Sequence, residues 1–197
     1  MKPSPLQKAA TEALLLSAEI KGCFAERAAA DVARAAEVVA AALSKGKKIL
    51  LCGNGGSAAD AQHIAGELVG RFKRERPPFA AIALTTDTSV LTCVANDYSF
   101  EDVFARQVEA LGAEGDVLIA YSTSGNSRNV LRAIEKATSL GMKVVGLTGQ
   151  SGGAMLERCH VCIRAPSDET PLAQECHAAA GHVICALVED LLCKDQA

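Results

Sequence analysis

The sequence has no tryptophan and only two tyrosines and five phenylalanines in 197 residues. A surface that stacks bases needs such rings together with basic charge. The formal net charge is −3, so nucleic acid is not an expected partner. Long apolar runs are also missing, which excludes a membrane-spanning helix. The Ala-Leu run after Lys8 is interrupted by Glu12 and closed by Glu19, too soon for a signal peptide. It reads as a helix of a cytoplasmic chain. Neither glycine-rich nor serine-rich loop contains lysine, which removes the nucleotide P-loop pattern. Cys159-His160-Val161-Cys162 has no second cysteine pair to complete a zinc ribbon, and Val161 and Ile163 alternate as in a strand. That motif therefore reads as structural. The other cysteines fall mostly in apolar segments, as small buried groups do in a reducing compartment.

What is present centres on Lys47–Phe72, KKILLCGNGGSAADAQHIAGELVGRF. Ile49–Cys52 is a short apolar run, the mark of a buried strand. Gly53-Asn54-Gly55-Gly56 turns it sharply, because glycine accepts positive φ. Ser57 with Asp60 predicts a capping-box-like helix start. His63 and Glu67 lie four apart and so project from one face of that helix. Such a pair can shuttle protons or bind a metal.

Before this stretch, two Ala-rich helical patterns run over about 4–20 and 25–44, divided near Gly22 and ended by Gly46. The second is apolar around much of its circumference, which predicts packing on two sides, in an oligomer interface or as a cap over the sheet. Beyond it, strands are expected over 79–84, 116–121, 142–148 and 160–165. Helices alternate with them over 90–95, 100–111, 129–140, 152–158 and 172–194. Arg71–Phe79, RFKRERPPF, reads as a surface loop. Alternating strands and helices make a parallel sheet covered on both faces. One domain over 1–197 is expected, with 1–46 as N-terminal helices and 47–197 as the α/β core.

In open α/β sheets ligands bind beyond the carboxyl ends of strands. Ser122-Thr123-Ser124-Gly125-Asn126-Ser127 follows the third strand there, with three serines and a threonine at a helix start. Neutral donors and a helix dipole make a phosphate cradle. Gly53–Ala58 also satisfies G-x-G-x-x-A. The acidic residue that a dinucleotide site requires about twenty positions later is not placed: Glu75 falls in the basic loop and Asp87 comes late. On the last helix, Gln174 and His182 share a face, with His177 nearby.

Five stretches together resemble a known family: CGNGGSAADAQH-x-x-x-E, AIALTTDTSVLT, ANDYSFEDVF-x-RQVEALG, GDVLI-x-x-STSGNS and PSDET…QE-x-H-x-x-x-x-H. They are similar to the sugar-isomerase (SIS) fold and, within it, to the bacterial phosphoheptose isomerases. The resemblance spans nearly the whole chain. It implies a flavodoxin-like three-layer sandwich with a five-stranded parallel sheet, plus N-terminal helices. It also implies homotetramers with sites at subunit interfaces, and isomerisation of sedoheptulose 7-phosphate to glycero-manno-heptose 7-phosphate. That reaction opens the route to ADP- or GDP-heptose for lipopolysaccharide core or related surface glycans. Carried over by position, the resemblance implies one zinc ion per subunit on His63, Glu67, Gln174 and His182, with Glu67 and His182 as catalytic groups. It implies substrate contacts at Asn54, Gly55, Gly56, Glu67, Asn96, Asp97, Ser122, Thr123, Ser124, Ser127 and Gln174. Where members often carry an arginine, this chain reads Pro171-Leu172-Ala173. The alternatives are a phosphosugar-binding regulator, or a non-catalytic relative that binds a replication initiator. The latter lacks the glutamate at position 67, which this chain has.

Overall fold

One 39-residue helix, α1 (Pro5–Leu43), replaces the two expected helices. Gly22 does not divide it, because one helical glycine costs only about 1 kcal/mol relative to alanine and the alanines on either side carry the helix through. Ser4 caps its start: its Oγ accepts from Gln7 N at 3.2 Å, and Gln7 Oε1 accepts from Ser4 N at 2.7 Å. Gly46, with φ +70°, follows its end as expected. The second half buries Phe24, Ala28, Val32, Ala35, Ala36 and Val39. The first half leaves Leu6 (83%), Leu14 (71%) and Leu15 (63%) exposed. The computed structural model describes residues 3–193, so Lys194 lies outside the described residues.

Five strands follow: β1 (Ile49–Cys52), β2 (Ala81–Ala83), β3 (Val117–Ser122), β4 (Lys143–Thr148) and β5 (Val161–Arg164). They form one sheet in the order β2-β1-β3-β4-β5. Every pairing is parallel. Between them run α2 (Gly56–Val69), α3 (Thr88–Asp97), α4 (Val103–Leu111), α5 (Arg128–Ser139) and, last, α6 (Thr170–Leu192). Side chains alternate across the sheet. Ile49, Leu51, Val117, Ile119, Val145 and Leu147 face the core shared with α1, α2 and α6. Leu50, Cys52, Leu118, Ala120 and Val144 face the core shared with α4 and α5. Because both faces are covered, β1 and β3 are buried at every residue. The chain leaves β1 toward β2 on one side and returns to β3 on the other. The two loops after β1 and β3 therefore flank the switch-point crevice. Among the described residues, no helix is long and apolar enough to cross a membrane.

The basic stretch after α2, expected as a surface loop, is anchored. Glu189 of α6 accepts hydrogen bonds from the amides of Phe72, Lys73 and Arg74, each at 2.9 Å. It also pairs with Arg76 Nε at 3.0 Å, and both side chains are only 2% exposed. Arg76 in turn donates to the carbonyls of Glu67 and Leu68 at the end of α2. Burial pushes the Glu189 carboxyl up, but the three amides and Arg76 outweigh it and hold the group below its ordinary value. A carboxyl depressed in the folded state contributes stability above its unfolded pKa, about 4.3 for Glu, and loses it as pH falls through the folded value. Glu189→Gln leaves Arg76 buried without a counter-charge, so it should cost about 3–5 kcal/mol at neutral pH. The deficit should shrink as pH drops below about 4. Urea unfolding at both pH values checks this, and equal midpoints at neutral pH would contradict it.

Candidate active site

The turn after β1 is built for close backbone approach. A Cβ on Gly53 would stand 2.7 Å from Ser57 O, and Gly55 adopts φ +57°. The expected Ser57–Asp60 capping box does not form. Gly55 is the N-cap of α2 and no side chain caps it, because the glycine turn starts the helix before Ser57, which is buried inside it. An uncapped first turn leaves amide donors and the positive end of the helix dipole for an anion. The Gln174 amide lies over this end: a Cβ on Gly56 would come within 2.6 Å of its Nε2.

Asn54 points across the crevice. Its amide exchanges two hydrogen bonds with Asn129, at 2.9 and 2.8 Å. Asn129 Oδ1 also accepts from Val130 N. The first turn of α5 is thereby tied to the β1 loop. No sequence motif marked Asn129.

The loop after β3 gathers hydroxyls. Ser122 Oγ lies 2.9 Å from Ser127 Oγ and 3.4 Å from Ser124 Oγ. Ser127 is the N-cap of α5, yet its side chain caps nothing. Gly125 has φ +66°, and a Cβ there would stand 2.1 Å from Gly152 O, so only glycine fits. Thr123 carries the loop's tie to the next one, its carbonyl accepting from Gly149 N at 2.8 Å. Converging hydroxyls at a helix N-terminus suit a phosphate group. Asn96 and Asp97 end α3 in exposed positions, with Asn96 donating to Asp97 at 2.8 Å.

Further along α2 stand the ionisable groups. His63 Nε2 lies 3.0 Å from Glu67 Oε1 and 3.3 Å from His182 Nε2 on α6. The three ligand atoms lie within 4.8 Å of one another. Two imidazole nitrogens and a carboxylate oxygen are the donor set that zinc takes. Phe72, placed by the Glu189 anchor, stacks on His182 at 5.5 Å between ring centroids. Gln174 sits two turns before His182 on α6.

Asp60, one turn before His63, acts otherwise than as a cap. Its Oδ2 is buried, with no hydrogen-bond partner among the described residues. Burial raises its pKa, against the pull of His63 and His182. Its charge also faces buried Tyr121, whose hydroxyl is pushed up first by burial and then by Asp60. A single aspartate gives no sequence signal for this; its i, i+3 relation to His63 is the one hint. His177 leaves the group. It is fully buried, and its Nε2 donates to Thr148 O at 3.0 Å. Burial lowers its pKa and keeps it neutral.

Residues 17–149 match the family described as SIS domain. The chain is 59% identical over 162 residues to the phosphoheptose isomerase of Rhodospirillum rubrum, covering 82% of this chain and 86% of that one. It is 55% identical over 178 residues to the phosphoheptose isomerase of Aquifex aeolicus, covering 90% and 93%. This chain belongs to the phosphoheptose isomerase family of SIS-domain proteins. The structure of phosphoheptose isomerase GmhA from Neisseria gonorrhoeae superposes with a TM-score of 0.89 at 41% identity, covering 94% of this chain and 99% of that one. The SIS-domain match ends at residue 149, before α6. Superposition on a phosphoheptose isomerase over 94% of this chain is therefore what carries the likeness into the helix bearing Gln174 and His182.

Proposed function

We propose that this chain is a phosphoheptose isomerase, an aldose–ketose isomerase that converts D-sedoheptulose 7-phosphate to D-glycero-D-manno-heptose 7-phosphate. The observation that carries this reading is 59% identity to a phosphoheptose isomerase across most of both chains. The clustering of His63, Glu67 and His182 supports it by supplying acid–base groups.

The reaction moves hydrogen from C1 of the ketose to C2. Glu67 takes a C1 proton, which leaves an enediolate. A proton returned to C2 gives the aldose, and His182 moves the proton between the two oxygens. Ser122, Thr123, Ser124 and Ser127 hold the phosphate, with the α5 N-terminus behind them. Asn54, Gly55, Gly56, Gln174, Asn96 and Asp97 serve the sugar. Glu67, the residue absent from the initiator-binding relative, favours the enzyme over a binding role. His63, Glu67 and His182 would hold one zinc ion per subunit, which when bound polarises the substrate carbonyl; Gln174, expected as the fourth ligand, has its amide over Gly56 and would have to leave that place to join them.

The assembly is a homotetramer with sites between subunits. Two features support it: the leucines exposed on the first half of α1, and an apolar groove of about 390 Å³ between α1 and α6, lined by Phe24, Ala28, Val32, Ala180, Val183 and Leu187. Acting in the cytoplasm, the enzyme supplies the heptose phosphate from which activated heptose for lipopolysaccharide core or surface glycans is made.

In deuterium oxide, proton transfer through solvent-exchanging Glu67 should place deuterium at C2 of the aldose. Nuclear magnetic resonance of the product reads it out. Absence of any aldose would sink the function.

A further inference from the structure

The cysteines of the Cys159–Cys162 stretch are drawn together in the fold. The β4–β5 register pairs Gly146 with Cys162, and register partners send their side chains to the same face of a sheet. Gly146 has no side chain, and Cys159 fills that space: its Sγ lies 2.6 Å from where a Gly146 Cβ would stand. The Cys159 sulfur thus reaches the face on which Cys162 sits. There the Cys159 thiol neighbours Cys162 across the Gly146 position, and Cys162 Sγ lies 3.7 Å from Thr148 Oγ1.

The pair is chemically asymmetric. The neighbouring Cys159 thiol brings the Cys162 thiol down to about 7, against the opposing effect of burial, with Thr148 and Arg164 helping. The Cys162 group beside it and burial push Cys159 up, so it keeps its proton. Both residues are half-buried, whereas Cys52, Cys176 and Cys185 are buried. A thiolate next to a protonated thiol is the arrangement that reacts with an oxidant and then resolves.

Cys159 is also linked to the proposed phosphate loop. Cys159 N donates to Met155 O at 3.1 Å, and Met155 N donates to Gly125 O at 3.1 Å. Ala154 N donates to Asn126 Oδ1 at 2.9 Å. A Cβ on Gly153 would stand 2.5 Å from Ser124 O, so the segment lies on the loop without slack. An S–S bond is about 2.05 Å long, and forming it draws Cys159 out of its place over Gly146.

We propose that Cys159 and Cys162 are a peroxide-sensitive dithiol that closes to a reversible disulfide and thereby loosens the Ser124–Asn126 loop. The Cys162 thiolate attacks one peroxide oxygen, the O–O bond breaks, and a sulfenic acid forms with loss of hydroxide. The Cys159 sulfur then attacks the sulfenic sulfur. Its proton leaves with the departing hydroxyl as water, and the S–S bond forms. Two thiols are oxidised and one hydrogen peroxide is reduced to two waters. A small dithiol reverses the step.

The test treats the whole protein with less than one equivalent of hydrogen peroxide, followed by intact mass and peptide mapping. The expected result is loss of two hydrogens, mapped to a Cys159–Cys162 crosslink and reversed by dithiothreitol. Cys162 should react at least about tenfold faster than exposed Cys93. Cys159→Ser should stop the reaction at a sulfenic acid on Cys162, trapped by dimedone. A crosslink elsewhere, or Cys162 no faster than Cys93, overturns the site. The coupling rests on the phosphate reading of the loop, so inorganic phosphate is the probe in calorimetry. The oxidised protein should bind it several-fold more weakly than the reduced one. Equal binding by both forms overturns the coupling. A reduced protein that does not bind phosphate overturns the coupling together with the phosphate reading, while the crosslink result stands by itself.

Discussion

Glu67→Gln should turn over sedoheptulose 7-phosphate about a thousandfold more slowly than the wild-type protein, within the 10²–10⁴ range typical of general-base catalysis. Glutamine keeps the shape of the side chain and can still hydrogen-bond to His63, which lies 3.0 Å from Glu67. It cannot take a proton from carbon. Affinity should change little, because the proposed phosphate contacts are Ser122, Ser124 and Ser127, not Glu67. His63 and His182 adjoin the substituted group, so metal content must be measured on both proteins. A variant that retains metal, binds substrate and turns over near normally would show that another group is the base.

The second large effect concerns where one site begins and ends. Glu67 lies eleven positions after Gly56, which at ~1.5 Å per residue is roughly 16 Å along α2. If Glu67 is the base, a neighbouring subunit would have to complete the site. Ser124→Ala/Ser127→Ala should lose about 1.5–3 kcal/mol of phosphosugar binding per deleted hydrogen bond to a charged group, and so be nearly inactive at low substrate. Glu67→Gln is inactive for a different reason. If each site takes its phosphate loop from one subunit and Glu67 from another, random exchange in an equal mixture restores about one quarter of wild-type activity. Sites contained in single chains restore none. No recovery after verified subunit exchange would exclude the shared site.

The parts of this fold that the sequence revealed are those governed by local rules. Ile49–Cys52 and Val117–Tyr121 read as buried strands because both faces of the sheet are covered. Gly53–Gly56 and Ser122–Ser127 read as ligand loops because turns need glycine and anions need small donors. His63 and Glu67 sit together because helical spacing puts them there. What stayed hidden depends on contacts between distant segments. Gly22 reads as a break, yet α1 runs through it, the small cost of one helical glycine being outweighed by the flanking alanines and the packing of its second half. Ser57 looked like a cap, but the turn at Gly55 moved the helix start upstream. The tie between Asn54 and Asn129 joins residues 75 positions apart. The anchoring of Phe72 by Glu189 spans 117 positions, and no periodicity marks either. Asp60 acquires its buried carboxyl oxygen only from the elements packed around it.

Zinc in the His63, Glu67 and His182 set and isomerisation of a seven-carbon ketose phosphate meet in one measurement. Purified protein of known metal content is incubated with sedoheptulose 7-phosphate, with and without chelator, and formation of the heptose 7-phosphate is followed. The expected result is steady aldose formation, lost with chelation and regained on adding zinc. Full turnover after complete metal removal would contradict the metal's role, and no aldose from metal-replete protein would contradict the function itself.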